Sequence, residues 1–225
     1  MLLFTSYLDL KKREVPDKVW IIFGAIGAAL QVYEVRTSAT PLTWLIVSLI
    51  LATVIGLGIF FAGLYGGADG KALIVLAILV PYFAPRIGIY RIAPLMVLTN
   101  GILLSMLLPI ALVILNISRI IRGQKIFEGF SEPLYRKILA VFLGYKSTSK
   151  PRDFQFPMEK KASPTEDNSG KKFDFGFMQD DFETVAGTWV TPGIPLLVFF
   201  TAGFFALLVY GDLVISIVQF VAHSV

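Results

Sequence analysis

The chain has 225 residues, of which 56% are hydrophobic and 16% charged, and a formal net charge of +4. That balance excludes an ordinary soluble domain, where about a quarter of the residues are charged. The lack of cysteine excludes disulfides, thiolate metal sites and a cysteine nucleophile, and the one histidine, His223 near the carboxyl end, argues against a histidine triad or a multi-histidine metal site. Acid–base chemistry therefore falls to carboxylates. The small positive charge forms no basic face with interleaved aromatics, so it fits membrane topology rather than nucleic acid.

In chain order, "MLLFTSYLDL" supplies eight residues before Asp9, about 12 Å as helix. It is too short to span, and its basic residues follow it rather than precede it, unlike a secretory signal. It reads as the last turns of a truncated first transmembrane helix. Apolar segments follow at 18–32, 41–64, 72–90, 92–116 and 190–221, near the length that crosses about 30 Å of hydrocarbon. The 72–90 segment is interrupted by Pro81, Pro85 and Arg86. Trp20, Trp44 and Trp189 fall near span ends, as interfacial aromatics do. The expected fold is an all-α polytopic membrane protein, divided into a helical core (1–116), an insert (117–189) and a last span (190–225).

Lys11, Lys12, Arg13 and Lys18 share one connection, and twelve basic residues lie from Arg119 to Lys172. The positive-inside rule puts both segments in the cytoplasm. Asp9 and Asp69, two spans apart, then share the cytoplasmic side. Within the insert, "SEPLYRKILAVFLGYK" reads as an amphipathic helix with Ser131 as N-cap and Pro133 in its first turn. "DFQFPME" and "KKFDFGFMQ" alternate, with Phe154 and Phe156 in one and Phe173, Phe175 and Phe177 in the other. The turn-rich "KASPTEDNSG" between them predicts a small hairpin, making the insert α+β. No internal repeat stands out, which disfavours an inverted-repeat transporter.

In "FFAGLYGGADGKALIVLAILV", Asp69 can be read as a helix N-cap, with Gly66, Gly67 and Gly70 forming the turn. Asp9 can be read as an exposed loop carboxylate. Together they carry a second reading, because the intervening helical hairpin can return both to one depth. Two adjacent carboxylates cannot both ionise cheaply, which yields one base and one acid. The base activates water and the acid protonates a carbonyl, with no metal or organic cofactor. The helix macrodipole favours charge on Asp69, making it the expected base and Asp9 the acid. The glycines would admit an extended substrate backbone.

"DLKKREVPDKVW" from Asp9, "GGAD" ending at Asp69 and "WVTPGIPLLVFF" from Trp189 resemble the type IV prepilin peptidases of the GxGD aspartyl protease group. The likeness is closest to the archaeal preflagellin (prearchaellin) peptidases. It implies that Asp9 and Asp69 are catalytic, with Gly66, Gly67, Ala68 and Gly70 as the supporting motif and Ala68 standing where the pattern has glycine. It also implies about six transmembrane helices and removal of a short basic leader from preflagellin- or prepilin-like precursors. Two carboxylates that can be far apart in the resting enzyme would be brought together on substrate binding.

The remaining carboxylates have competing readings. Asp17 after Pro16 reads as the cap of the second helix, with binding of the leader's basic residues as the alternative. Glu14 reads as solvated, again with leader recognition as the alternative. Asp180, Asp181 and Glu183 read as a solvated acidic run, and Asp212 has no assigned role. The competing function is a small transporter or channel with Asp69 in its ion path.

Overall fold

The computed structural model describes residues 1–37, 41–61, 66–84, 91–148, 154–160, 171–175 and 186–224. The elements in chain order are α1 (Leu2–Lys12), α2 (Asp17–Arg36), α3 (Leu42–Phe61), α4 (Gly67–Leu79), α5 (Ala93–Ser105), α6 (Leu107–Ile121) and α7 (Leu134–Leu143), then β1 (Tyr145–Lys146), β2 (Gln155–Pro157), β3 (Trp189–Pro192), α8 (Leu196–Tyr210) and α9 (Leu213–Ser224). They form two compact units, one of Met1–Ser105 with Pro195–Val225 and one of Met106–Ile194. The cuts thus fall after Ser105 and before Pro195, where the sequence suggested 116 and 189.

Helix ends in the first unit follow from local chemistry. α1 stops at Arg13, which turns left-handed at φ 55°, and Pro16 then bars continuation before α2 begins. α4 stops at Val80, the residue before Pro81, with φ −140° and ψ 77°. The expected 72–90 segment is therefore helical only to Leu79, and an antiparallel bridge joins Tyr82 to Ile92. Pro85 and Arg86 lie outside the described residues.

Among the described residues, α2, α3 and the stretch Ala93–Ile121 are long and apolar enough to cross a membrane, and α8 with α9, bent by 54°, makes a fourth if counted as one span. At 11 and 13 residues, α1 and α4 are too short by that measure. Several apolar helices make this a multi-pass membrane protein; among the described residues three or four spans qualify by length and composition, a measure that does not reach the expected six.

Small residues let these helices approach closely, as in membrane bundles. A Cβ on Gly56 of α3 would lie 3.1 Å from the Gly70 carbonyl oxygen of α4, and a Cβ on Gly203 of α8 would lie 2.7 Å from the Gly101 nitrogen of α5. Polar groups fix the ends. Asn100 Nδ2 donates to the Gly211 carbonyl at 3.1 Å, and its Oδ1 accepts from the Leu213 N–H at 2.9 Å, across the α8–α9 bend. Asp212, without a role in the sequence, is fully buried there and caps α9 by accepting the Ile215 N–H at 3.1 Å.

The second unit has an aromatic core of Phe127, Phe130, Phe173 and Trp189. Its antiparallel sheet has the order β1-β3-β2, with Val190 central between Tyr145 and Pro157. The expected hairpin is present in outline, since Glu159 bridges Phe173 antiparallel. Phe177 and most of "KASPTEDNSG" lie outside the described residues. Three expectations change. Trp189 is fully buried in this core, its Nε1 donating to the Ile126 carbonyl at 3.0 Å, so it is no interfacial aromatic; Trp20 is buried too. "WVTP" is a strand, and the last helix begins only after Pro195. Pro133, rather than Ser131, occupies the cap of α7.

Candidate active site

Asp69 is the third residue of α4, while Gly66 holds the cap. The expected N-cap role is thus displaced by three residues. A side chain at this position can reach back to the cap residue's N–H, one half of a capping box. The Gly66 N–H does face the Asp69 carboxylate. Burial pushes the Asp69 carboxyl up to about 7; the charge of Asp9 adds to the rise, and the Gly66 N–H and Arg13 oppose it.

Asp9 sits one turn before the end of α1. Burial raises its carboxyl above the ordinary range, against the pull of Arg13, whose Nη1 lies 3.9 Å from Asp9 Oδ2. The left-handed turn at Arg13 brings that guanidinium back beside the helix it ends. α1 is pinned by buried Ser6, whose Oγ lies 2.6 Å from Thr201 Oγ1 and donates to the Leu197 carbonyl of α8 at 2.8 Å. The two carboxylates therefore share one electrostatic site, although no hydrogen bond joins them among the described residues. At Asp69, burial and the neighbouring charge outweigh the helix end, so the macrodipole does not hold this carboxyl down.

The motif glycines differ in what they do. Gly66 is open: a Cβ added there would meet only the Asp69 carboxylate, 3.8 Å away. A Cβ on Gly67 would lie 3.5 Å from the Phe60 ring, and Ala68 is half-buried in the first turn of α4. Gly70 is buried against Gly56, so it serves helix packing and is closed to a substrate backbone.

Asp17 opens α2 without capping it, and its carboxylate pairs with Lys71 Nζ of α4 at 2.5 Å, both side chains in solvent. Glu14 is exposed between α1 and α2. Asp180, Asp181 and Glu183 lie outside the described residues. Sequence reasoning missed Arg13 as a neighbour of both carboxylates, Gly56 as the seat of α4, and the Ser6–Thr201 pair. The available signals were a glycine in an apolar helix and a serine in an apolar decapeptide.

The model of the type IV leader peptidase family matches residues 1–115, a stretch containing both aspartates. The chain belongs to that family. Preflagellin peptidases are similar along nearly the whole length: that of Methanocaldococcus jannaschii is 30% identical over 96% of this chain and 93% of its own. That of Methanococcus voltae is 29% identical over 96% and 94%, and that of Methanococcus maripaludis is 26% identical over 96% and 94%. As a member of the leader peptidase family, the chain is read as a protease, and the transporter reading of Asp69 loses its ground.

Proposed function

We propose that the chain is a membrane aspartyl endopeptidase that removes the short basic leader from preflagellin- or prepilin-like precursors at the cytoplasmic face. Asp9 and Asp69 are its two catalytic groups. The observation that carries the reading is the Asp69 carboxyl, pushed to about 7 beside the charge of Asp9. Near neutral pH such a pair holds one proton, which is the state that peptide hydrolysis needs.

Ionised Asp9 takes a proton from water as that water attacks the scissile carbonyl carbon, while protonated Asp69 gives its proton to the carbonyl oxygen. A tetrahedral diol forms. Asp9 then passes its proton to the departing amine nitrogen as the C–N bond breaks, and Asp69 recovers a proton from the diol hydroxyl. Both groups return to their starting states, and the pair titrates as a unit. Since no hydrogen bond joins the carboxyls in the described structure, substrate binding draws α1 and α4 together in this reading. The basic run Lys11, Lys12, Arg13 and Lys18 supports a cytoplasmic position for this end of the helices by the positive-inside rule, with 117–189 read as a cytoplasmic insert.

The test is precursor cleavage in membranes with tagged preflagellin and prepilin. Asp9→Asn and Asp69→Asn each lose the processed band, a drop of at least about 100-fold, while Asp17→Asn and Asp212→Asn keep it. Full activity in either catalytic-site variant, or no cleavage of either precursor by the wild type, overturns the assignment.

A further inference from the structure

α7 turns one side inward: Ala140 is fully buried, and Val141 and Leu143 pack on the aromatic core. Its other side presents Leu134, Tyr135, Ile138, Leu139 and Phe142, exposed by 45 to 74%. These positions repeat at intervals of three and four, so they form one stripe along the helix. Five large apolar side chains on a ten-residue helix exceed the scattered exposure of an ordinary surface and mark a contact face.

The neighbouring α6 identifies what covers that face. Ile110, Ile114, Ile117 and Ile121 lie exposed along it, and exposed Arg122 and Lys125 follow directly. Such a change from apolar to basic marks where an apolar segment leaves hydrocarbon for headgroups. Buried Asn116 of α6 donates from Nδ2 to the carbonyls of Val141, at 3.1 Å, and Gly144, at 2.7 Å. Both carbonyls belong to the carboxyl end of α7. Asn116 lies about 7.5 Å before Ile121 along the helix axis, on the apolar side of the boundary. The end of α7 is thus held at the depth where α6 passes from acyl chains to headgroups, and α7 carries an apolar stripe of its own.

We propose that α7 is an interfacial membrane helix whose stripe, Leu134, Tyr135, Ile138, Leu139 and Phe142, sits in the boundary between acyl chains and headgroups of a phospholipid bilayer. The helix ties the second unit to the membrane surface whether or not a precursor is bound, and the inference is independent of the catalytic assignment. The absence of cysteine makes the test direct, because single substitutions carry a nitroxide without further changes. Full-length Leu134→Cys, Ile138→Cys, Phe142→Cys and, as a loop reference, Glu128→Cys are labelled and placed in mixed phosphatidylcholine and phosphatidylglycerol vesicles. The three stripe labels collide with dissolved oxygen severalfold more, relative to a water-soluble nickel chelate, than the Glu128→Cys label does. Nickel access at the stripe equal to that at the reference overturns the proposal by placing α7 in water. Exclusion of both reagents from all three stripe positions also overturns it, by assigning the stripe to protein contact with a second copy or a precursor helix.

Discussion

In the first unit, helices meet where side chains are missing: Gly56 against Gly70, Gly101 against Gly203 and Gly27 against Ile78 and Leu79. In the second, the interior is filled by stacked and edge-on rings around Trp189 and pinned by buried carboxylates. Glu159 accepts the Trp189 N–H at 2.7 Å and pairs with Lys171 at 3.0 Å, while Glu132 accepts the Phe173 N–H at 2.8 Å and pairs with Arg136 at 3.2 Å. The difference is one of purpose. Bare helix contacts bring backbones close and set the position of Asp69 through Gly70, one residue away. An aromatic core stabilises a small module that has little apolar surface of its own to bury.

Substitutions that add volume to the first unit should therefore act on turnover, and those that remove it from the second should act on stability. Gly56→Leu drives a side chain into the Gly70 backbone, displaces α4, and lowers cleavage by roughly 100-fold, the cost of misplacing a catalytic group by about 1 Å; initial rates on tagged precursor read it. Trp189→Ala removes the centre of the aromatic core and costs about 3–5 kcal/mol of second-unit stability, seen as faster limited proteolysis within 106–194. Ser6→Ala unpins α1 from α8 at a cost of about 1 kcal/mol, and its activity loss exceeds its stability loss because α1 carries Asp9. Lys71→Gln opens the exposed pair with Asp17 and changes stability by less than about 1 kcal/mol in a melt. A large turnover loss in Trp189→Ala protein that remains folded, or full activity in Gly56→Leu, would break the contrast.

Asp69 adds a pH signature. Its folded carboxyl is raised from 3.8 to about 7, so its contribution to stability is fully present below 3.8 and is lost as pH rises through about 7. Asp69→Asn is therefore stabilised relative to wild type above pH 7, and the gap closes as pH falls toward 4. Arg13 holds Asp9 down, so Arg13→Gln moves the acid limb of the activity profile to higher pH.

The family was legible because its motifs are local. Asp9 before a basic run and Asp69 behind glycines stand out in an oily chain, and the family match covers both. What was not legible depends on three-dimensional neighbours. The burial that raises the Asp69 carboxyl cannot be read from its place in a helix. Gly70 looked open to substrate until Gly56 closed on it. "WVTP" looked like a helix start because Trp and Pro mark span ends as readily as they mark a strand, and only pairing with Tyr145 and Phe156 across the sheet decides between them. Composition alone likewise did not show that α4 ends at Val80, before Pro81, inside the apolar segment read as 72–90.

Whether the two carboxylates share one site is read by carbon-13 titration of aspartate carboxyls in the reconstituted protein, with Asp69→Asn assigning the Asp69 signal. Asp69 is expected to titrate at about 7, and Asp9→Asn to move this value down, because removing the neighbouring charge removes part of what raises it. An Asp69 signal titrating in the ordinary carboxylate range, or one that Asp9→Asn leaves in place, would contradict a shared site.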